Sequence, residues 1–148
     1  MNDDDPYDLN RFLTAQEGVY DRALAELKGG QKRTHWMWYI FPQIDGLGYS
    51  PTAKYYSIKS IEEARQYLNH PVLGKRLLEC TEAVVGVKRR SVSEIFGYPD
   101  DLKFKSSMTL FEKIAGSGSV FSSALDRHCR GERDTATLRL LETPHNKT

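Results

Sequence analysis

The sequence predicts an all-α protein: a single compact domain of about seven to eight helices, several of them short. Three observations predict it. Apolar residues recur at i, i+3 and i+4 through most of the 148 residues. Serine, proline and glycine stand where helices begin and end. No segment alternates polar and apolar residues as a half-buried strand does, and Asp45-Gly46, lying among glycines after Pro42, fits a loop better than a hairpin.

Taken in order, residues 6–29 predict a long helix with Leu9, Phe12, Gln16, Val19, Ala23 and Leu27 on one face, stopped at Gly29-Gly30. Ser50-Pro51 caps a short helix through Tyr55-Tyr56. Ser60-Ile61-Glu62-Glu63 has the form of a capping box, opening a helix that His70-Pro71 breaks. The next helix spans residues 71–87, with Leu73, Leu77, Cys80 and Val84 on its inner face. A second capping box, Ser91-Val92-Ser93-Glu94, precedes a one-turn helix ended by Gly97. Pro99-Asp100-Asp101 starts a helix over 99–115, because proline is preset for the first position and acids suit the positive end of the dipole. Phe104, Met108, Phe111 and Ala115 form its predicted buried stripe. After the Gly116-Ser117-Gly118-Ser119 loop, helices are predicted over 120–129 and 134–141. Residues 1–7 read as a disordered acidic leader, 8–141 as the domain and 142–148 as a frayed tail.

Composition narrows the function classes. Lysine and arginine number 21 against 20 acidic residues, which disfavours general nucleic-acid binding, since that requires a surplus of cations. Lys32/Arg33 and Lys88-Arg89-Arg90 are the two local basic clusters, read as solvated helix ends. No window resembles a membrane span or a secretory signal, so a cytoplasmic protein with reduced cysteines is expected. The four histidines and two cysteines show no paired ligand spacing, so neither metal nor cofactor is expected.

The run Lys32-Arg33-Thr34-His35-Trp36-Met37-Trp38-Tyr39-Ile40-Phe41-Pro42-Gln43 concentrates aromatic side chains that are expensive to leave in water. It therefore belongs in a core or a pocket wall. Trp36 and Trp38 fall on different faces of a helix, so one can be core while the other offers a flat surface to a ring. His35 is a candidate proton donor or acceptor. Gln43 carries the donor and acceptor needed to read an amide or base edge, and Tyr55 adds a nearby hydroxyl. In the 99–115 helix, Asp100, Lys103 and Ser107 fall at i, i+3 and i+7 along the edge of the apolar stripe. Asp100 and His35 are thus the candidate catalytic pair. Trp36, Trp38, Gln43, Tyr55, Lys103 and Ser107 are the candidate ligand contacts.

The blocks His35 to Gln43, Gly46-Leu47-Gly48-Tyr49-Ser50, Leu73-Gly74-Lys75-Arg76-Leu77, Ile95-Phe96-Gly97-Tyr98-Pro99-Asp100-Asp101-Leu102-Lys103 and Ser106-Ser107-Met108-Thr109-Leu110-Phe111 resemble the bacterial "domain of unknown function 1810" family, in its order and over nearly the whole chain. The resemblance implies a compact α-helical fold. It implies no activity, substrate or catalytic residue, and the calpastatin label sometimes attached to the family finds no support in these residues.

Two functions compete. The first is a pocket for a small nucleotide-like or phosphorylated ligand, with hydrolysis of an N-glycosidic bond as its catalytic version and a loose fold-level likeness to small helical N-glycosidases behind it. The second is a non-catalytic protein-interaction module with an apolar groove between helices. They differ in whether His35, Asp100, Lys103 and Ser107 converge in one concavity.

Overall fold

The computed structural model describes residues 4–142. Among them are ten helices: α1 (Asn10–Gln16), α2 (Tyr20–Lys28), α3 (Met37–Ile40), α4 (Pro51–Tyr55), α5 (Ile61–Asn69), α6 (Leu73–Val85), α7 (Val92–Phe96), α8 (Asp100–Ala115), α9 (Val120–His128) and α10 (Thr135–Leu141). The described residues contain no strand, only an isolated parallel bridge between Ile44 and Ile58. The predicted all-α class holds, with slightly more helices than expected. The expectations for residues 1–3 and 143–148 lie outside the described residues.

The longest helices, α6 and α8, organise the rest. α6 packs on α2, α5 and α9, while α8 packs on α5, α7, α9 and α10. Two aromatic chains fill the space between. Phe41 meets Phe104 edge-on at 5.0 Å, and Phe104 stacks on Phe96 at 4.7 Å, with Trp36 closing the group. Phe12, Tyr67, Phe111 and Phe121 form the second chain, in successive contacts of 5.0–5.8 Å. Such ring pairs add roughly 0.5–1.5 kcal/mol each beyond area burial. Cys80 and Cys129 are buried free thiols in this interior, and burial pushes Cys80 up to about 12 and Cys129 to about 11.

Local signals explain most boundaries. Ser50, Ser60, Ser91, Ser119 and Asp134 each accept a hydrogen bond from a backbone N–H of the first turn they cap. Ser91 and Glu94 complete a reciprocal box. The Ser60 box is one-sided, because Glu63 turns inward to the Lys59 N–H and to Arg11.

Two expectations need correction. Residues 6–29 form two helices, because Gly18 takes φ +75° and turns the chain between α1 and α2. The continuous apolar periodicity concealed that turn, since both helices bury the same phase of residues. Ala115 lies exposed at the end of α8, where the last turn has passed the edge of the core.

Candidate functional site

The aromatic run becomes loop 31–36 followed by the single turn of α3, and Glu26 of α2 shapes that loop. Its carboxylate accepts from the Arg33 and Thr34 N–H groups, the Thr34 hydroxyl and the Trp36 indole N–H, at 2.6–3.0 Å. Burial alone would raise the Glu26 carboxyl, yet these donors outweigh it and hold it down at about 2. Trp36 is thereby fixed in the core, and Trp38, two residues on, faces partly outward. Trp36 is thus core, while the Trp38 ring stays partly exposed under the Lys103 ammonium.

Trp38 forms one wall of a cleft of about 230 Å³ shared with Gln43, Leu47 and Gly48 on one side and Pro99, Leu102, Lys103 and Ser106 of the α8 start on the other. Asp134, bonded to Ser106, and Ala136 complete its lining. The Lys103 ammonium sits 3.8 Å from the Trp38 ring centroid. It also pairs with Asp100 Oδ1 at 3.2 Å, while Asp100 Oδ2 pairs with Lys32 at 2.9 Å. Lys32 in turn lies over Trp36, 5.1 Å from its ring centroid. The result is a ladder of rings and charges, Trp36–Lys32–Asp100–Lys103–Trp38, whose three charged groups sum to one positive charge beside the cleft.

The backbone of Gln43 is pinned on the opposite wall: its carbonyl accepts from Ile58 N–H at 2.8 Å, and Ile58 C=O accepts from Asp45 N–H at 2.8 Å. Its side-chain amide, by contrast, has no hydrogen-bond partner among the described residues. Gly48 is required by close approach, because a Cβ there would stand 2.6 Å from the Ala53 Cβ. Asp134 is committed to structure, accepting from Ser106 and from the Thr137 N–H and hydroxyl.

The structure therefore brings Trp38, Gln43 and Lys103 together, with Asp100 joined through Lys103. The remaining candidates sit elsewhere. His35 is exposed and lines none of the clefts described here. Ser107 is fully buried with an unpartnered hydroxyl, because α8 is enclosed on more sides than the stripe implied. Tyr55 borders a different concavity, beside Arg11 and Glu63. Trp36 is core. The convergence of His35, Asp100, Lys103 and Ser107 that would favour a catalytic pocket over an interaction groove does not occur: of the four only Lys103 lines the cleft. Sequence reasoning missed Lys32 as the partner of Asp100, as well as Ser106 and Asp134. A lysine four residues before a buried tryptophan was the available signal for Lys32; the contacts of Ser106 and Asp134 span 28 residues and leave no local pattern.

Among the described residues, no helix is long and apolar enough to cross a membrane, and no three His, Cys, Asp or Glu side chains converge as a metal site would need. A family model described as "Protein of unknown function (DUF1810)" matches residues 6–141. The solved structure of the conserved hypothetical protein Rv1873 from Mycobacterium tuberculosis is similar, with 50% sequence identity and a TM-score of 0.92 over 94% of this chain and 99% of that one. No curated protein matches the chain.

Proposed function

The chain belongs to the DUF1810 family of proteins of unknown function, and we propose that its cleft between α3 and the start of α8 binds a small, planar, anionic molecule of nucleotide-like character. The observation that carries this reading is the pairing across one cleft of the unpartnered Gln43 amide with Lys103 held over Trp38. The amide supplies a donor and an acceptor for a base edge. The net positive ladder suits an anionic substituent, and the apolar walls suit a ring. A volume of about 230 Å³ fits one ring system or sugar-sized group better than a whole dinucleotide.

Binding has more support here than hydrolysis. Asp100 pairs with Lys32 and Lys103 and does not line the cleft, and His35 stands apart from it as well. Cleavage of an N-glycosidic bond would require Asp100 to exchange a lysine for the reacting centre.

A second reading, recognition of a protein segment, draws on the rim. Tyr49 and Tyr98 are 83% and 82% exposed next to the cleft residues Gly48 and Pro99, and Leu102 within it is 52% exposed.

The test is a tryptophan-fluorescence and thermal-shift titration against nucleobases, nucleotides, ADP-ribose derivatives and sugar phosphates. A true ligand quenches wild-type emission and raises the melting midpoint. In Trp38→Phe the quench disappears, while buried Trp36 continues to report a folded protein. Silence across the panel, together with saturable binding of a peptide or protein that Trp38→Phe weakens, would replace the small-molecule reading with the second.

A further inference from the structure

A different concavity, of about 430 Å³, opens where α6 and α9 end. Among the described residues it is lined by Lys88, Arg89, Arg90, Arg127 and His128 with two valines, and by no carboxylate. Lys88, Arg89 and Arg127 form no ion pair or side-chain hydrogen bond among the described residues. Glu94, the acid whose charge reaches Arg90, accepts from the Ser91 N–H. Solvated helix ends explain only part of this cluster. Two helix C-termini contribute about half a negative charge each, roughly one in total, against four permanent cations.

The unpartnered groups point the same way. Four buried side-chain polar atoms among the described residues lack a hydrogen-bond partner, and three belong to residues that line this concavity, set beneath its surface: Arg90 Nε and both ring nitrogens of His128. His128 is only 8% exposed. Arg90 Nε–H is a donor, and at least one His128 nitrogen carries a hydrogen in any protonation state. Buried donors are nearly always paired, so this wall lacks acceptors. Arg89 also holds φ +66°, an uncommon conformation for a residue with a side chain, in the middle of the basic loop.

The charge surplus is local. On the other side of His128 a neighbouring cleft contains Lys105 and Arg130, but Asp101 and Glu132 accompany them, and Lys105 pairs with Glu132 at 3.8 Å. The positive surface is thus a pit rather than a track, on a protein whose net charge is +1. That favours a compact multiply charged anion over a nucleic-acid backbone, which needs cations spread along its length.

We propose that this concavity binds an oligophosphate group, two or more linked phosphates either free or carried on a small molecule. Phosphate oxygens would accept from the exposed guanidinium groups of Arg89 and Arg127 and the Lys88 ammonium, while Arg90 Nε–H and the His128 nitrogens, closed off from solvent, would need a side-chain shift to join them. The site is independent of the Trp38 cleft.

Inorganic tripolyphosphate is the probe, titrated by calorimetry and followed by the His128 ring signals in NMR spectra. We expect saturable binding that weakens with added salt and shifts those signals. Arg89→Ala/Arg127→Ala alters only exposed side chains, so it should stay folded and lose at least about tenfold in affinity. Lys103→Met should bind tripolyphosphate like the wild type, which separates this site from the α3–α8 cleft. ATP binding through the same arginines identifies a carried oligophosphate, and tripolyphosphate alone identifies a free one; both uphold the site. Unchanged affinity in the double variant overturns it. So does an equal response to sulfate at matched ionic strength, or tighter binding of a single-stranded oligonucleotide through the same residues.

Discussion

The Arg11 guanidinium meets the Glu63 carboxylate at 2.6 Å in the protein interior, where the two side chains keep 6% and 2% of their surface. The contact is one of five. Arg11 also donates to the carbonyls of Tyr7, Asp8, Tyr55 and Ser57, so every N–H of its fork is used. One side chain thereby ties the N-terminal turn, the segment after α4 and the start of α5 to α1. Truncating either partner of a buried pair strands the other charge. Arg11→Ala is therefore expected to cost about 3–5 kcal/mol, measured as a lower urea midpoint. A cost below about 1 kcal/mol would mean that water already reaches the site.

Arg11 also marks where sequence reading reaches its limit. Helix identities follow from local signals, as at Ser91-Glu94 or Ser50-Pro51, because a cap and its partner lie within four residues. The division of Trp36 from Trp38 was equally legible once the segment is read as helical, since positions two apart on a helix fall on nearly opposite faces. Nothing local distinguishes Arg11 from a surface arginine of α1: its side-chain partners in the 55–63 stretch lie 44–52 residues away. Lys32 and Asp100 are similarly remote in sequence, so half of the charge ladder beside the cleft was legible, the Asp100–Lys103 half at i, i+3, and half was not.

The lowered Glu26 carboxyl predicts a stability change at acid pH. A depressed native pKa contributes stability that is fully present above the unfolded value of about 4.5 and is lost as pH falls toward about 2. Allowing for solvent screening of a partly exposed group, the contribution is roughly 1–2 kcal/mol. Unfolding free energy measured between pH 6 and pH 2.5 should fall less steeply in Glu26→Gln than in the wild type. Parallel curves would assign the acid sensitivity to other carboxylates.

Asp100→Asn looks like a stability-neutral probe of binding when only the sequence is considered, because its shape is preserved. The two ammonium contacts remove that neutrality. Lys32 keeps only 7% of its side-chain surface and would lose its counter-charge, while Lys103 would face it across a neutral amide. The expected loss is about 2 kcal/mol, below the full buried-pair value because Lys103 and Asp100 retain partial solvent contact. Lys103→Met should cost less, since Lys32 and Asp100 remain paired. If calorimetric melting ranks the two variants in the opposite order, the ladder is not the element that holds the start of α8 against the 31–36 loop.

Ser107 tests the boundary between site and core from the other direction. Its hydroxyl is buried without a partner, so the folded state carries its desolvation cost with no compensating bond. Removing the oxygen lifts that cost and leaves a space smaller than a methyl group. Ser107→Ala should therefore match the wild type in stability or exceed it by up to about 1 kcal/mol, and it should leave ligand affinity at the α3–α8 cleft unchanged. Weaker ligand binding at unaltered stability would return Ser107 to the site. Lower stability at unaltered binding would reveal a buried partner for the hydroxyl.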